Sequence, residues 1–266
     1  MQIDPLGGSL GARVSGVDLR ACSAELFDRL RTELLTHKVL QISGSALSPD
    51  QLLSVAEGFG QPLVHPVVPH LEGHPGVIEI RNFGKAYTLN EHWHSDVSFE
   101  PEPPDFTFLH AQRVPPYGGD TLFANQVQAF DELSAGMKAV LGALRAVHSG
   151  AGLARIMGKG EGEVPEVVHP VVRRHPETGE KALYVCRAFT QRFEDMTGPE
   201  SAPLLEYLYA WAVRPHLSVR VKWETGDLVI WDNRSVQHYA VHDHGDMERV
   251  LLRVTTAGSK PIGDSQ

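Results

Sequence analysis

His94 and Asp96 stand one residue apart in the stretch Trp93-His94-Ser95-Asp96. On extended backbone, alternate residues leave the same face, so this imidazole and carboxylate would project side by side, with Cα atoms roughly 6.5 Å apart. They are two thirds of a 2-His-1-carboxylate triad, which holds non-haem Fe(II) and leaves positions open for substrate chemistry. A lone His-x-Asp says little in a chain with 14 histidines, and a second copy occurs at His244-Gly245-Asp246. That copy sits in a charged stretch with no later histidine to complete a site. His238 is the natural third ligand for the first copy, following an apolar strand, Leu228–Trp231, and a polar loop through Gln237. His242 and His244 compete for the role, but their charged surroundings suggest that they face solvent.

Arg249 and Arg253 add an anion site. On a strand they share one face with Leu251, while Val250 and Leu252 take the other. Both faces read as buried, and an inward guanidinium is costly unless an anion pairs with it. Four residues of strand separate the two by roughly 13 Å, too far for one small carboxylate. Two anionic groups in one cavity, or salt bridges to Glu224 or Asp227, are the two readings this pattern allows. A 2-oxo acid would fit the first, chelating the metal and offering a distal carboxylate to a bidentate cation, which arginine supplies better than lysine. Thr121 could add a hydroxyl hydrogen bond.

The elements that must carry these groups are mostly short strands. Glycine-punctuated strands are expected over 3–19. Helices are expected over 24–37, capped by Ser23, and from a Ser48-Pro49-Asp50-Gln51 capping box to about Gly58 or Gly60. Strands follow at Val39–Ile42 and Val77–Arg81, with a Pro- and His-rich loop between 61 and 76. His94 and Asp96 open or end the next strand. Phe106–Ala111 and Thr121–Ala124 read as strands, 126–146 as helical, and Leu183–Cys186 as strand. A helix over 200–213 precedes strands at Val219–Trp223, Leu228–Trp231 and Arg249–Thr256. Residues 149–166 hold five glycines and read as a surface loop or a lid over a site; without Walker spacing they are no phosphate loop. Short strands bounded by turns, with inserted helices, predict a mainly β single domain over 1–266 with a double-sheet jelly-roll core.

A net charge of −9 argues against nucleic acid or an anionic membrane as a general partner. No apolar run approaches a membrane span and no signal peptide is visible, so a cytoplasmic protein is expected. The two cysteines, Cys22 and Cys186, form neither a disulfide framework nor a thiolate zinc site. A homo-oligomer is left open.

The chain resembles the Fe(II)/2-oxoglutarate-dependent dioxygenases of the taurine dioxygenase (TauD/TfdA) family over nearly its whole length. The resemblance is carried by Leu10-Gly11-Ala12, Gly16-Val17-Asp18-Leu19, Trp93 to Phe99 and Gly118-Gly119-Asp120-Thr121-Leu122. It continues through His169-Pro170-Val171-Val172-Arg173, Trp231-Asp232-Asn233-Arg234, Gln237-His238-Tyr239-Ala240 and Arg249 to Arg253. It implies a double-stranded β-helix in which His94, Asp96 and His238 bind iron and Thr121 with Arg249 holds 2-oxoglutarate, with O2 as the other co-substrate. It places the substrate's anion on Arg253 and lines the pocket with His65, Val68, Asn90, Val97 and Phe189. The taurine enzyme has tyrosine where Val68 stands, and asparagine where Cys186 stands, which argues against taurine itself. The expected activity is hydroxylation of a C–H bond in a small anionic sulfonate, sulfate or carboxylate, with release of succinate and CO2. An aryloxyalkanoate or an intermediate of specialised metabolism is an alternative substrate. A zinc-type hydrolase would leave Arg249 and Thr121 unexplained, and a non-catalytic jelly-roll binding protein would release no succinate.

Overall fold

The computed structural model describes residues 1–65, 68–82, 91–156, 158 and 166–263. Ser23 accepts a hydrogen bond from the Leu26 amide and starts α1 (Ala24–His37), which ends where Lys38 turns left-handed. Ser48 and Gln51 form a reciprocal capping box with Pro49 in the first turn of α2 (Pro49–Glu57). Such caps satisfy amides that a helix start leaves unpaired. Leu30 and Leu34 of α1 and Leu52 and Val55 of α2 bury against one side of the main sheet.

That sheet has seven strands. In chain order they are β1 (Gln2–Pro5), β2 (Ala12–Ser15), β3 (Val39–Ile42), β4 (Ile78–Asn82), β5 (Phe106–Arg113), β13 (Leu228–Asp232) and β15 (Arg249–Thr255). In space the order is β1-β2-β3-β13-β5-β15-β4. Only β2 and β3 run parallel. A second sheet, ordered β12-β6-β14, comprises β6 (Thr121–Asn125), β12 (Ser218–Val221) and β14 (Val236–Ala240).

The alternation of side chains along each strand decides what lies between the two sheets. Leu228, Ile230, Leu252 and Val254 face the helices, while Val229, Trp231 and Leu251 join Phe123, Val219, Val221 and Val236 in the inter-sheet core. Arg249 and Arg253 share the parity of Leu251 and so point into that same layer.

A third sheet, ordered β11-β7-β8, and a two-stranded pair extend the β scaffold. They comprise β7 (Arg145–Ser149), β8 (Glu166–Pro170), β9 (Val172–Arg174), β10 (Lys181–Leu183) and β11 (Thr190–Phe193). They enclose a separate core with α3 (Gln126–Asp131), α4 (Ala135–Gly142) and α6 (Gly198–Ala212).

Several expectations need correction. The helical stretch over 126–146 is two short helices that give way to β7 at Arg145, whose register is set by pairing with β8 and β11. The glycine-rich 149–166 segment is not loop throughout, since α5 spans Ala151–Ile156. The strand expected over Leu183–Cys186 is Lys181–Leu183, after which the chain turns, with the Thr190 amide donating to the Cys186 carbonyl. No strand runs through His94 and Asp96. His94 forms an isolated bridge with His238, and the chain then turns.

Candidate active site

The bridge is reciprocal: the His94 amide donates to the His238 carbonyl at 3.1 Å, and the His238 amide to that of His94 at 2.8 Å. It brings the ends of two distant segments together beside the inter-sheet layer. Past Asp96 the chain folds back at Val97, whose φ of 49° is left-handed. A β-branched residue there is a strained exception that its surroundings must hold in place. Val97 is buried in a cluster with Phe99, Cys186 and Phe189. The turn does what the expected strand was meant to do, presenting His94 and Asp96 to one point.

Ligand atoms of His94, Asp96 and His238 all lie within 4.8 Å of one another, and all three residues are buried. Among the described residues they are the one group of at least three His, Cys, Asp or Glu with this geometry. Asp96 Oδ1 is 3.8 Å from His94 Nε2 and 3.7 Å from His238 Nε2. His94 Nδ1 is 2.7 Å from the His92 carbonyl, a contact that makes it the protonated nitrogen and turns the Nε2 lone pair toward Asp96. Burial pushes both imidazoles below their ordinary pKa, against the pull of Asp96, and so favours the neutral form a metal needs. Burial alone would raise the Asp96 carboxyl; the Arg253 guanidinium beside it, with a hydrogen bond from Thr107, counters this and favours the carboxylate, held well below its usual range.

Asp96 is positioned by a chain of donors that sequence reasoning missed. Trp231 Nε1 donates to Asn233 Oδ1, Asn233 Nδ2 to Thr107 Oγ1, and Thr107 Oγ1 to Asp96 Oδ2, at 2.8, 2.8 and 2.7 Å. All four residues are buried. The motif Trp231-Asp232-Asn233-Arg234 was the available signal. Its Asp232 and Arg234 are structural: both Asp232 oxygens accept from Arg234, and His175 lies 2.9 Å from Asp232 Oδ2.

One cavity joins the triad to Arg249 and Thr121, with Asn82, Trp231 and His242 in its lining. Arg249 Nε donates to the Gly119 carbonyl at 2.8 Å and Nη1 reaches Asn82 Oδ1 at 3.4 Å. Gly119 has φ 69°, and a Cβ there would lie 3.0 Å from Arg249 Cδ. Burial lowers the Arg249 pKa to about 10, which still leaves it charged at neutral pH. Thr121 Oγ1 accepts from Trp223 Nε1 at 3.1 Å. Of the carboxylates expected as alternative partners, Asp227 is engaged elsewhere, accepting from Gln41 and from the Glu224 amide, while Arg253 does pair with a protein carboxylate, that of Asp96. His244 is also not solvent-facing; it is 2% exposed, and its Nδ1 lies 2.8 Å from the Met247 carbonyl. His242 is half-buried on the cavity wall.

A second cavity of about 260 Å³ opens on the other side of Asp96 and Arg253. His65, Val68, Val97, Phe99 and Phe189 line it, together with Leu153 and Ile156 from α5. Arg253 Nη2 is 2.9 Å from Asp96 Oδ1, yet neither Nε nor Nη2 makes a well-aligned hydrogen bond. Of the expected pocket residues, Asn90 lies outside the described residues.

Two neutral imidazoles and a carboxylate converging on one point, with the buried Arg249 and the half-buried Arg253 beyond, define a non-haem metal enzyme on a largely β scaffold. The model of the taurine catabolism dioxygenase TauD, TfdA family matches residues 2–255. An alkylsulfatase of Acinetobacter baylyi is 36% identical over 278 aligned residues, covering 99% of this chain and 87% of the relative. An alpha-ketoglutarate-dependent sulfate ester dioxygenase of Pseudomonas putida is 34% identical, covering 99% of this chain and 91% of the relative. The crystal structure of a taurine dioxygenase from Burkholderia xenovorans superposes with a TM-score of 0.88 at 36% identity, covering 99% of this chain and 91% of that one. The chain belongs to the TauD/TfdA family and is an Fe(II)- and 2-oxoglutarate-dependent dioxygenase.

Proposed function

We propose that this enzyme hydroxylates a C–H bond of a small organic anion, a sulfate ester or sulfonate before a carboxylate. His94, Asp96 and His238 hold Fe(II), a donor set of two nitrogens and one carboxylate oxygen that suits this ion. Thr121 and Arg249 hold the distal carboxylate of 2-oxoglutarate, and Arg253 takes the substrate's anionic group. His65 and Asn90 supply further polar contacts, while Val68, Val97 and Phe189 bound the apolar part. The scaffold is a double-stranded β-helix, and the whole chain acts as one domain in which α5 walls the substrate cavity with Leu153 and Ile156; the rest of the lid expected over 149–166 falls mostly outside the described residues.

The observation that carries this reading is the placing of Arg249 and Arg253 on one strand face: both line the cavity that holds the triad, and Arg253, unlike Arg249, also lines the second cavity together with His94 and Asp96. The relatives' action on sulfate esters supports the choice of anion.

When bound, the iron lets O2 and 2-oxoglutarate yield succinate, CO2 and an oxidant for the substrate C–H bond, one oxygen atom entering succinate and the other the product. The protein's part is positional. The Trp231–Asn233–Thr107 chain fixes Asp96, the buried imidazoles stay unprotonated, and Arg253 holds the substrate at its charged end. Hydroxylation at a carbon bearing a sulfate ester gives a product that collapses to an aldehyde or ketone and free sulfate.

The test is anaerobic loading with Fe(II) and 2-oxoglutarate, followed by oxygenation with alkyl sulfates, sulfonates and carboxylates. Succinate release coupled to sulfate esters or sulfonates is expected. Coupling to uncharged compounds alone, or none to any anion, overturns the reading.

A further inference from the structure

Asp96 gives its two carboxylate oxygens different neighbours. Oδ2 accepts from Thr107 Oγ1 at 2.7 Å, which fixes the carboxylate's orientation. Oδ1 faces the Nε2 atoms of His94 and His238 at 3.8 and 3.7 Å, and it also lies 2.9 Å from Arg253 Nη2. One oxygen is thus addressed from two sides, by the nitrogens that would share a metal with it and by a guanidinium. Among the described residues this is the one ion pair of Arg253. The contact does not satisfy the guanidinium, whose Nε and Nη2 are buried without an aligned acceptor. Arg253 lines the triad's cavity and the second cavity alike, so an anion in the second cavity has unused donors to meet.

We infer that Arg253 and the metal ion compete for Asp96 Oδ1, and that an anion bound at Arg253 ends the competition, so that metal and substrate anion strengthen one another's binding. The inference rests on the reading of Arg253 as the holder of the substrate's anion and adds a coupling to it. Two cations that draw on one buried oxygen repel each other strongly, because little water lies between to screen them. An anion on the guanidinium cancels one of these charges and takes up donors that otherwise point at Oδ1. Coupling between binding free energies is reciprocal, so the factor that the anion adds to metal affinity is the factor that the metal adds to anion affinity. The enzyme thereby holds substrate best where it also holds the ion that acts on it.

The experiment titrates the protein with Mn(II) at about pH 8, well above ordinary carboxylate titration, and counts free ion by electron paramagnetic resonance, with and without saturating butyl sulfate. In the wild-type chain butyl sulfate should tighten Mn(II) binding at least about fivefold, the lower end of ordinary coupling between sites. Arg253→Gln, which removes the charge, should bind Mn(II) at least about fivefold more tightly than wild type with no anion present, and butyl sulfate should then add nothing. Arg249→Gln should keep the wild-type response. Mn(II) affinity that is unchanged or weaker in Arg253→Gln overturns the competition, as does a butyl sulfate response that Arg249→Gln abolishes. Butyl sulfate that binds the wild-type chain by calorimetry yet leaves Mn(II) affinity unchanged overturns the coupling and leaves Arg253 its role as anion holder. No binding of butyl sulfate at all overturns that role, and the coupling with it. The wild-type arm needs no variant, so a poorly folding Arg253→Gln does not shield the inference.

Discussion

At the scale of single residues, each polar group in the centre has a separate measurable consequence. His94→Ala, Asp96→Ala and His238→Ala should each lose Fe(II) stoichiometry and nearly all turnover, because a three-ligand site has no spare donor. Metal content by elemental analysis, measured beside activity, separates this from a folding defect. Arg249→Gln should weaken 2-oxoglutarate by about 2–5 kcal/mol, the cost of leaving a buried carboxylate unpaired, as titration calorimetry would show. Arg253→Ala should instead raise substrate KM by about two orders of magnitude, for a charge-assisted hydrogen bond of ~3 kcal/mol. It should keep substrate-independent decarboxylation of 2-oxoglutarate. If Arg253→Ala loses 2-oxoglutarate binding and keeps substrate affinity, the two arginine roles are exchanged. The ligand set was legible from residue type and spacing together with the family resemblance, although a turn replaces the strand expected through His94 and Asp96; the shared strand face of Arg249 and Arg253 was legible from parity. The support of Asp96 by Thr107 was not, since Asn233, which donates to Thr107, stands 126 residues further on and nothing local links them. The burial of His244 was likewise hidden, as its charged neighbours suggest the surface.

At the scale of elements, the turn after Asp96 trades backbone strain for placement. A non-glycine residue with φ of 49° carries about 1–3 kcal/mol of strain, while burying a valine returns about 1.5–3 kcal/mol. Val97→Gly removes both terms, so the melting temperature should move little. Substrate KM should rise, because the cavity in front of Arg253 loses this part of its wall. A large fall in stability without a kinetic effect would show that Val97 serves the core alone. The same contrast explains what could be read of the elements. Helices α1 and α2 were legible to within a residue or two, because their caps are local chemistry. The turn at Val97 and the strand β11 depend on partners distant in sequence, while β9 is three residues pairing with the nearby β10, too short to announce itself.

At the scale of the whole molecule, burial of histidines makes stability depend on pH. His148 and His169 lie behind the Asp96 turn, with Ser98 Oγ 3.0 Å from His148 Nδ1. Burial, helped by their mutual repulsion, pushes His148 down to about 3, and burial pushes His169 down to about 4, against an ordinary 6.5. Below 6.5 the unfolded chain therefore binds protons that the native protein refuses. Stability present above that pH should be lost steadily as pH falls toward about 4. Thermal melts across that window should show the loss, and His169→Gln should flatten it; an unchanged slope would remove His169 as a contributor. The order of the main sheet has a consequence for synthesis. β13 lies between β3 and β5, and β15 between β5 and β4, so two strands made more than a hundred residues after these neighbours take interior places in the sheet. Until residues 228–255 leave the ribosome, the earlier strands present bare hydrogen-bonding edges that invite other chains. A growing chain therefore carries unpaired strand edges until β13 and β15 are made, and it gains both strands and His238 within the one stretch 228–255.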